Sequence, residues 1–254
     1  GLVYYRSTLV KSLLEFDPSF RCTLFVSNPS ADELTRFFFD HPRCSINTYP
    51  QPKWYYRSIN ANAYLDKSTV ELYHGLSNEL PLRNVSKRIP SVVTINDVLY
   101  HSFPQDFPLV DRQIYHFKTK NALANADLVI CISEATKREV LKLFPTTKAK
   151  LLPIHISYDP IFDAIVSPEQ VSTINRKYNL PNEYNLYVGS VTHRKNLKII
   201  LDGILAISPE SRTPLVVVGS GGQYLEPMQQ YCIENKINNL IHFLQKIPRE
   251  DLRK

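Results

Sequence analysis

The sequence predicts a doubly wound α/β protein, with parallel sheets covered by helices on both faces. Three observations carry this. Short apolar runs recur along the chain, among them "CTLFVS", "SVVTIND", "DLVICIS", "NLYVGS" and "PLVVVGS". Several are almost continuously Val, Ile and Leu, the pattern of strands buried on both faces. The segments between them place apolar residues at three- and four-residue spacing, as helices do.

The first helix is predicted over "STLVKSLLEF", followed by the strand "CTLFVS", the helix "ADELTRFFFD" and the strand "SINTYP". The strands "VELYHG" and "SVVTIND" come next, then the helix "DRQIYHFKTKNALANA" and the strand "DLVICIS". Ser133 has the chemistry of an N-cap for the helix "SEATKREVLKLF", with Glu134 favourably placed in its first turn. After the strand "AKLLPI" the rhythm lapses. Pro160 and Pro168 punctuate the gap, bridged by the helix candidate "PEQVSTINRKY". A first domain is therefore expected over 1–160, a linker over 161–182 and a second domain over 183–254. The second has the strands "NLYVGS", "PLVVVGS" and "LIHFLQ" and the helices "KNLKIILDGILAI" and "EPMQQYCIENK". Three strands are fewer than a typical sheet holds, so this domain is expected to be partial. The stop at "PREDLRK", in the first turn of a further helix, and the abrupt start at "GLVYYRSTLV" lead to the expectation of a chain truncated at both ends.

The 254 residues suffice for two domains, and 43% hydrophobic against 21% charged residues suits a globular protein with a core. No apolar run approaches the roughly 18–20 residues of a membrane helix, and no basic start leads into an apolar leader. The expectation is a soluble, cytoplasmic protein. Cys22, Cys44, Cys131 and Cys232 are far apart in sequence and form no CxxC pair. Cys131 and Cys22, inside the apolar runs "DLVICIS" and "CTLFV", read as small buried hydrophobes, and the set favours a reducing compartment over a disulfide framework or zinc site. A net charge of +6 favours anionic partners: nucleotides, phosphorylated lipids, nucleic acid or an acidic membrane surface. Basic residues are spread along the chain without an interleaved Arg–aromatic patch, which argues against nucleic acid.

In doubly wound proteins ligands bind beyond the carboxyl ends of the strands, where loops enter helices. The corner at Gly189, Ser190, His193, Arg194 and Lys195 is the strongest candidate. Its glycine–serine turn permits close backbone approach, and a helix N-terminus attracts anions. Two cations there oppose the helix dipole unless an anion is present, so phosphate binding is the favoured reading over side chains merely pointing into water. "VVVGSGG", with Gly219 and Gly221, is either a second close-approach site or only a turn. In the first domain Asn96 and Asp97 end one strand, and His74, Gly75, Asn78 and Glu79 follow another. These groups, with Ser133 and Glu134, would line a sugar-binding cleft. Alternatively Asn96 and Asp97 cap the next segment and His74 is structural. No GxSxG elbow, P-loop, HExxH or DxD occurs, so a nucleotide site would neutralise phosphate with side chains and backbone and no metal.

These segments resemble a known family in chain order. "LYVGSVTHRKNLKIILDGI" resembles the "YVG…RKN" signature of family 4 glycosyltransferases. "SVVTINDVLYHSFPQDFP", "ADLVICISEATKREVLKLF" and "GLVYYRSTLVKSLLE" resemble three further segments of it. "YHGLSNELP" resembles a bacterial branch building surface polysaccharide. The resemblance implies a GT-B fold, two Rossmann-like domains facing across a cleft. It implies retaining, metal-independent transfer of a hexose from a UDP- or GDP-sugar, with no other cofactor. The acceptor implied is a glycan or lipid-linked, with possible peripheral contact with an anionic membrane. Arg194 and Lys195 match the basic pair that holds the donor diphosphate, and Gly189 and Ser190 the turn beneath it. Asn96 stands where the family commonly has a histidine, so the catalytic set implied is Asn96, Arg194 and Lys195. The family's later Glu-rich motif would lie beyond Lys254. Two alternatives remain beside this reading: a non-catalytic nucleotide- or sugar-binding remnant, and a GT-B sugar-nucleotide epimerase.

Overall fold

The computed structural model describes residues 2–26, 33–48, 55–65, 70–82, 89–158 and 160–253. The predicted strand ends at Ser27 and Tyr49–Pro50, and the predicted helix start at Ala31–Asp32, lie outside the described residues. The chain divides into two compact units, Gly1–Asp159 and Pro160–Lys254.

The first unit opens with α1 (Leu2–Phe16), β1 (Cys22–Val26), α2 (Glu33–Phe39) and β2 (Cys44–Thr48). The two strands pair in parallel, and Val10, Leu14 and Phe38 bury against them. A π-helical turn leads into α3 (Ala61–Leu65), then β3 (Tyr73–Gly75) and β4 (Ser91–Ile95). The short α4 (Leu99–Ser102), α5 (Leu109–Asn125), β5 (Leu128–Cys131), α6 (Glu134–Leu143) and β6 (Leu151–Pro153) complete the unit. β3, β4, β5 and β6 form a four-stranded parallel sheet in that order. Val93, Ile95, Val129, Cys131, Ala122 and Val140 make its core. The Ser133 N-cap forms as expected, its hydroxyl accepting the Thr136 N–H at 3.0 Å.

α5 departs from a simple core-facing helix. It turns its small residues Thr119 and Ala122, with Leu123, inward, and leaves Leu109, Val110, Ile114 and Phe117 exposed, Leu109 at 72%. Periodicity identifies an apolar stripe but not the direction in which it points.

The second unit opens with a 3-10 turn (Pro160–Asp163), followed by α7 (Pro168–Tyr178). Its start is a full capping box. Ser167 accepts the Gln170 N–H, Gln170 returns the bond to the Ser167 N–H, and Pro168 takes the first helical position. β7 (Asn185–Val188), α8 (Leu197–Ala206), β8 (Leu215–Val218), α9 (Gly222–Glu234), β9 (Ile241–Leu244) and the short α10 (Arg249–Leu252) follow. The sheet is parallel, in the order β7-β8-β9. Its core unites Leu197, Leu201, Leu215, Val217, Met228 and Ile237. Fully burying each such side chain contributes about 1.5–3 kcal/mol.

The expectation that the strands are covered on both faces holds for β8 but not for β7. Leu215, Val216 and Val217 are at most 2% exposed, whereas Leu186 and Val188 are 51% and 52% exposed. β7 is the edge of the described sheet, and one of its faces has no covering element among the described residues.

Candidate functional site

The second unit builds its corner from two strand ends packed backbone to backbone. β7 ends at Val188, and Gly189 follows with φ +154°, a conformation L side chains rarely adopt. The Gly189 N–H donates to the Val218 carbonyl at 3.0 Å, and the Val191 N–H to the Ser220 carbonyl at 2.9 Å. Gly219 lies so close beneath this turn that a Cβ on it would fall 1.8 Å from the Gly189 carbonyl oxygen. At Gly221 a Cβ would come within 2.7 Å of both Val191 and Leu225. Gly219 and Gly221 are therefore required by contact with the β7 turn, and the two corners form one body. The Tyr187 hydroxyl pins the turn from below, donating to the Ser190 carbonyl at 3.0 Å. Burial raises the Tyr187 pKa, and the nearby Arg194 charge opposes that rise.

The basic residues sit differently from the sequence expectation. His193, Arg194 and Lys195 form a separate 3-10 turn, closed by the Lys195 N–H donating to the Thr192 carbonyl at 3.0 Å. Asn196 then adopts a left-handed conformation, φ 49° and ψ 48°, and α8 starts only at Leu197. The helical periodicity of "KNLKII" continues across this break, so sequence alone could not show it. Arg194 is half-buried, while His193 and Lys195 are exposed. Neither the Arg194 guanidinium nor the Lys195 ammonium has an ion-pair or hydrogen-bond partner among the described residues. Lys198, one turn further on, is instead paired with Asp202 at 2.8 Å. The Thr192 hydroxyl beside the basic turn is buried without a hydrogen-bond partner among the described residues. The His193 ring meets Tyr224 edge-on, centroids 6.0 Å apart. The corner thus combines unpaired positive charge, a strained glycine turn and close backbone, which suits a multiply charged anion.

In the first unit, the carboxyl ends of β3 and β4 gather His74, Gly75, Asn78, Asn96 and Asp97. Gly75 is required there, since a Cβ would fall 2.2 Å from the Glu79 carbonyl oxygen. Asn78, left-handed at φ 56°, is the hub. Its Oδ1 accepts the Asn96 N–H at 2.8 Å and the Asn96 side-chain amide at 3.3 Å, and its Nδ2 donates to the Asp97 carbonyl at 2.7 Å. Asn96 is 5% exposed, and its carbonyl accepts the Thr136 hydroxyl at 3.2 Å. Thr136 also contacts the Ser133 hydroxyl at 3.1 Å, which joins Ser133 to the network, while Glu134 is exposed. Asp97 accepts the Leu99 N–H at 3.2 Å, the capping role that the sequence left open.

His74 lies 2.9 Å from the buried Thr94 hydroxyl, which Tyr5 of α1 approaches at 3.0 Å. Burial lowers the His74 pKa from 6.5 to about 4, so the ring is neutral near pH 7. Glu79 is drawn away into ion pairs with Arg57 and Lys118. Thr94, Thr136, Tyr5 and Tyr187 lie inside the segments read from the sequence but are not singled out there as site residues. The bonds of Thr94 to Tyr5 and His74, and of Thr136 to the Asn96 carbonyl, join residues 20 to 89 positions apart. Among the described residues, no group of three or more His, Cys, Asp and Glu is arranged to hold a metal ion.

The buried His74 sets a pH dependence. As pH falls from about 6.5 towards 4, the unfolded chain binds a proton that the folded ring refuses, so stability drops. Between pH 7 and pH 5, this ring accounts for a loss of about 2 kcal/mol in urea unfolding. The expected result is that His74→Gln shows a correspondingly smaller decrease over the same interval. An equal decrease in both proteins would show that His74 is not the group responsible.

Comparison with known proteins places the chain in a family. The sequence profile described as Glycosyltransferase Family 4 matches residues 19–160. The chain is 28% identical over 187 residues to the Escherichia coli O-antigen chain mannosyltransferase B, covering 71% of this chain and 47% of that protein. It thus spans about half the length of this curated relative. The structure is similar to Anabaena HepE in complex with UDP and glucose, with TM-score 0.70 and 16% identity. That likeness covers all of this chain (100%) and 67% of HepE. It is also similar to a glycosyltransferase from Rickettsia africae, with TM-score 0.63 and 15% identity, over 98% of this chain and 66% of that one. These likenesses show the GT-B fold class. The chain belongs to glycosyltransferase family 4.

Proposed function

We propose that the protein takes part in retaining, metal-independent transfer of a hexose from a UDP- or GDP-sugar to a glycan or lipid-linked acceptor in surface polysaccharide synthesis. The observation that carries this reading is the unpaired Arg194–Lys195 turn seated on the Gly189–Gly219 contact. When the bond from sugar to diphosphate breaks, the electron pair stays on the phosphate, and cations already in place stabilise that charge. Arg194 presents a fixed fork of donors to phosphate oxygens, and Lys195 adds a mobile point charge. The glycine–serine turn beneath them lets the same anion approach the backbone closely, its Gly189 and Val191 N–H groups being held by the Val218 and Ser220 carbonyls. Asn96, held by Asn78, supplies a neutral hydrogen-bonding amide on the acceptor side.

The relatives support the donor class. HepE binds UDP and UDP-glucose, and the E. coli relative is an O-antigen mannosyltransferase. A cytoplasmic location would give the protein access to nucleotide-sugars. Contact with an anionic membrane is in keeping with the +6 charge and with the exposed α5 face, where Lys120 accompanies Leu109, Val110, Ile114 and Phe117. Flotation with phosphatidylglycerol vesicles tests that contact, and a protein left at the bottom of the gradient would remove it from the reading. No helix of the described residues is long and apolar enough to cross a membrane.

A second reading, binding without turnover, is favoured by Asn96. An amide cannot carry the charge of the histidine common at this position.

Calorimetry with UDP and GDP, followed by transfer assays in EDTA, tests the proposal. Arg194→Ala with Lys195→Ala is expected to weaken diphosphate binding at least about a hundredfold, charge-assisted bonds contributing about 1.5–3 kcal/mol each. Unchanged affinity would refute the site. Nucleotide binding without transfer would leave the second reading, and a strict metal requirement for transfer would refute metal independence.

A further inference from the structure

Cys22 and Cys44, remote in sequence, meet in the fold. Cys22 opens β1, Cys44 opens β2, and the two are direct partners in the parallel register. Their sulfurs lie 3.4 Å apart. This differs from the expectation of four isolated thiols, and the reason is register, which places each strand's first residue opposite the other's.

The surroundings favour thiol chemistry between the two over other roles. Adjacent strands lie about 4.7–4.9 Å apart, which falls within the roughly 4.4–6.8 Å Cα separation that a disulfide spans. Closing the bond therefore needs side-chain rotation more than backbone movement. Both thiols are free and half-buried, packed against the cluster of Val10, Leu14 and Phe38, so an oxidant can reach them while bulk water is partly excluded. Burial and the neighbouring thiol push Cys22 up to about 12, which makes the Cys22 thiol slow to ionise at rest. Cys131 and Cys232, by contrast, are 0% and 1% exposed. Arg43, next to Cys44, directs its guanidinium to the Leu14 and Asp17 carbonyls at 2.6 and 2.8 Å. The pair thus adjoins the contact between the end of α1 and the start of β2. No third metal-ligating side chain completes a cluster around it among the described residues.

We propose that Cys22 and Cys44 are a reversible oxidation site, a dithiol that closes to a disulfide cross-linking β1 to β2. The oxidant is a small disulfide of the glutathione class. One thiolate attacks it and releases one glutathione thiol, forming a mixed disulfide. The second cysteine, losing its proton, attacks that mixed disulfide and releases the other. Two S–H bonds are lost, one S–S bond forms, and the two electrons and two protons reappear in the two glutathione thiols.

The test is incubation of the intact chain with oxidised glutathione, followed by acid quench, intact mass, thiol titration and peptide mapping. Expected are a mass lower by two hydrogens, a fall from four titratable thiols to two, and a peptide joining Cys22 to Cys44. Dithiothreitol restores all four. Cys44→Ser is expected to stop at a glutathione adduct on Cys22 with no loss of the hydrogen pair, and Cys22→Ser at the reciprocal adduct. Four thiols persisting in the wild-type chain, stable glutathione adducts on both cysteines, or a cross-link to Cys131 or Cys232 would each overturn the proposal.

Discussion

The strand-end corner of the second unit depends on one contact, the backbone of Gly219 lying against the carbonyl of Gly189. It exists because two adjacent parallel strands end at the same level and their outgoing turns must pass one over the other. A side chain at either position would separate them: at Gly219 by collision, at Gly189 by its φ of +154°. The rest follows in sequence. The Val191 N–H closes on Ser220, Val191 seals the core, and the 3-10 turn then projects Arg194 and Lys195 beside the strand ends. Positive charge without a partner is tolerated there because Lys195 is exposed and Arg194 keeps part of its surface in water. An anion would convert that tolerance into binding.

The first unit solves a different problem with the same architecture. Its strand-end polar groups satisfy one another around the buried Asn96, with the half-buried Asn78 serving Asn96 and the exposed Asp97 at once. A buried polar group left unpartnered costs about 1–3 kcal/mol, so this mutual satisfaction fixes the loops firmly. A neutral His74 and an amide at Asn96 give this end hydrogen-bonding capacity with little charge. Charge in the described corners is concentrated instead in the second unit's basic turn.

Much of this was legible in the sequence, and the exceptions have physical causes. Strand positions, the Ser133 cap and the Gly189 turn are local properties, written in apolar runs, hydroxyl placement and glycine. The break at Asn196 was not legible, because "KNLKII" keeps helical spacing across a residue whose left-handed backbone leaves no compositional mark. The engagement of Glu79 by Arg57 and Lys118 depends on residues more than twenty positions away in either direction. The Cys22–Cys44 approach depends on strand register, and the exposed face of α5 on which side of the helix meets the sheet. Such features are decided by tertiary packing.

The measurement that bears most directly on the corner is UDP affinity in Gly219→Ala, beside Gly203→Ala as a control. Gly203 lies in α8, where an added Cβ would meet nothing within 4 Å. If the glycine contact positions the basic turn, Gly219→Ala loses about tenfold or more in UDP affinity, at least 1.4 kcal/mol, while its circular dichroism stays that of a folded protein. Gly203→Ala then binds as the parent does. A folded Gly219→Ala that binds UDP with parental affinity would contradict the central role given to that contact.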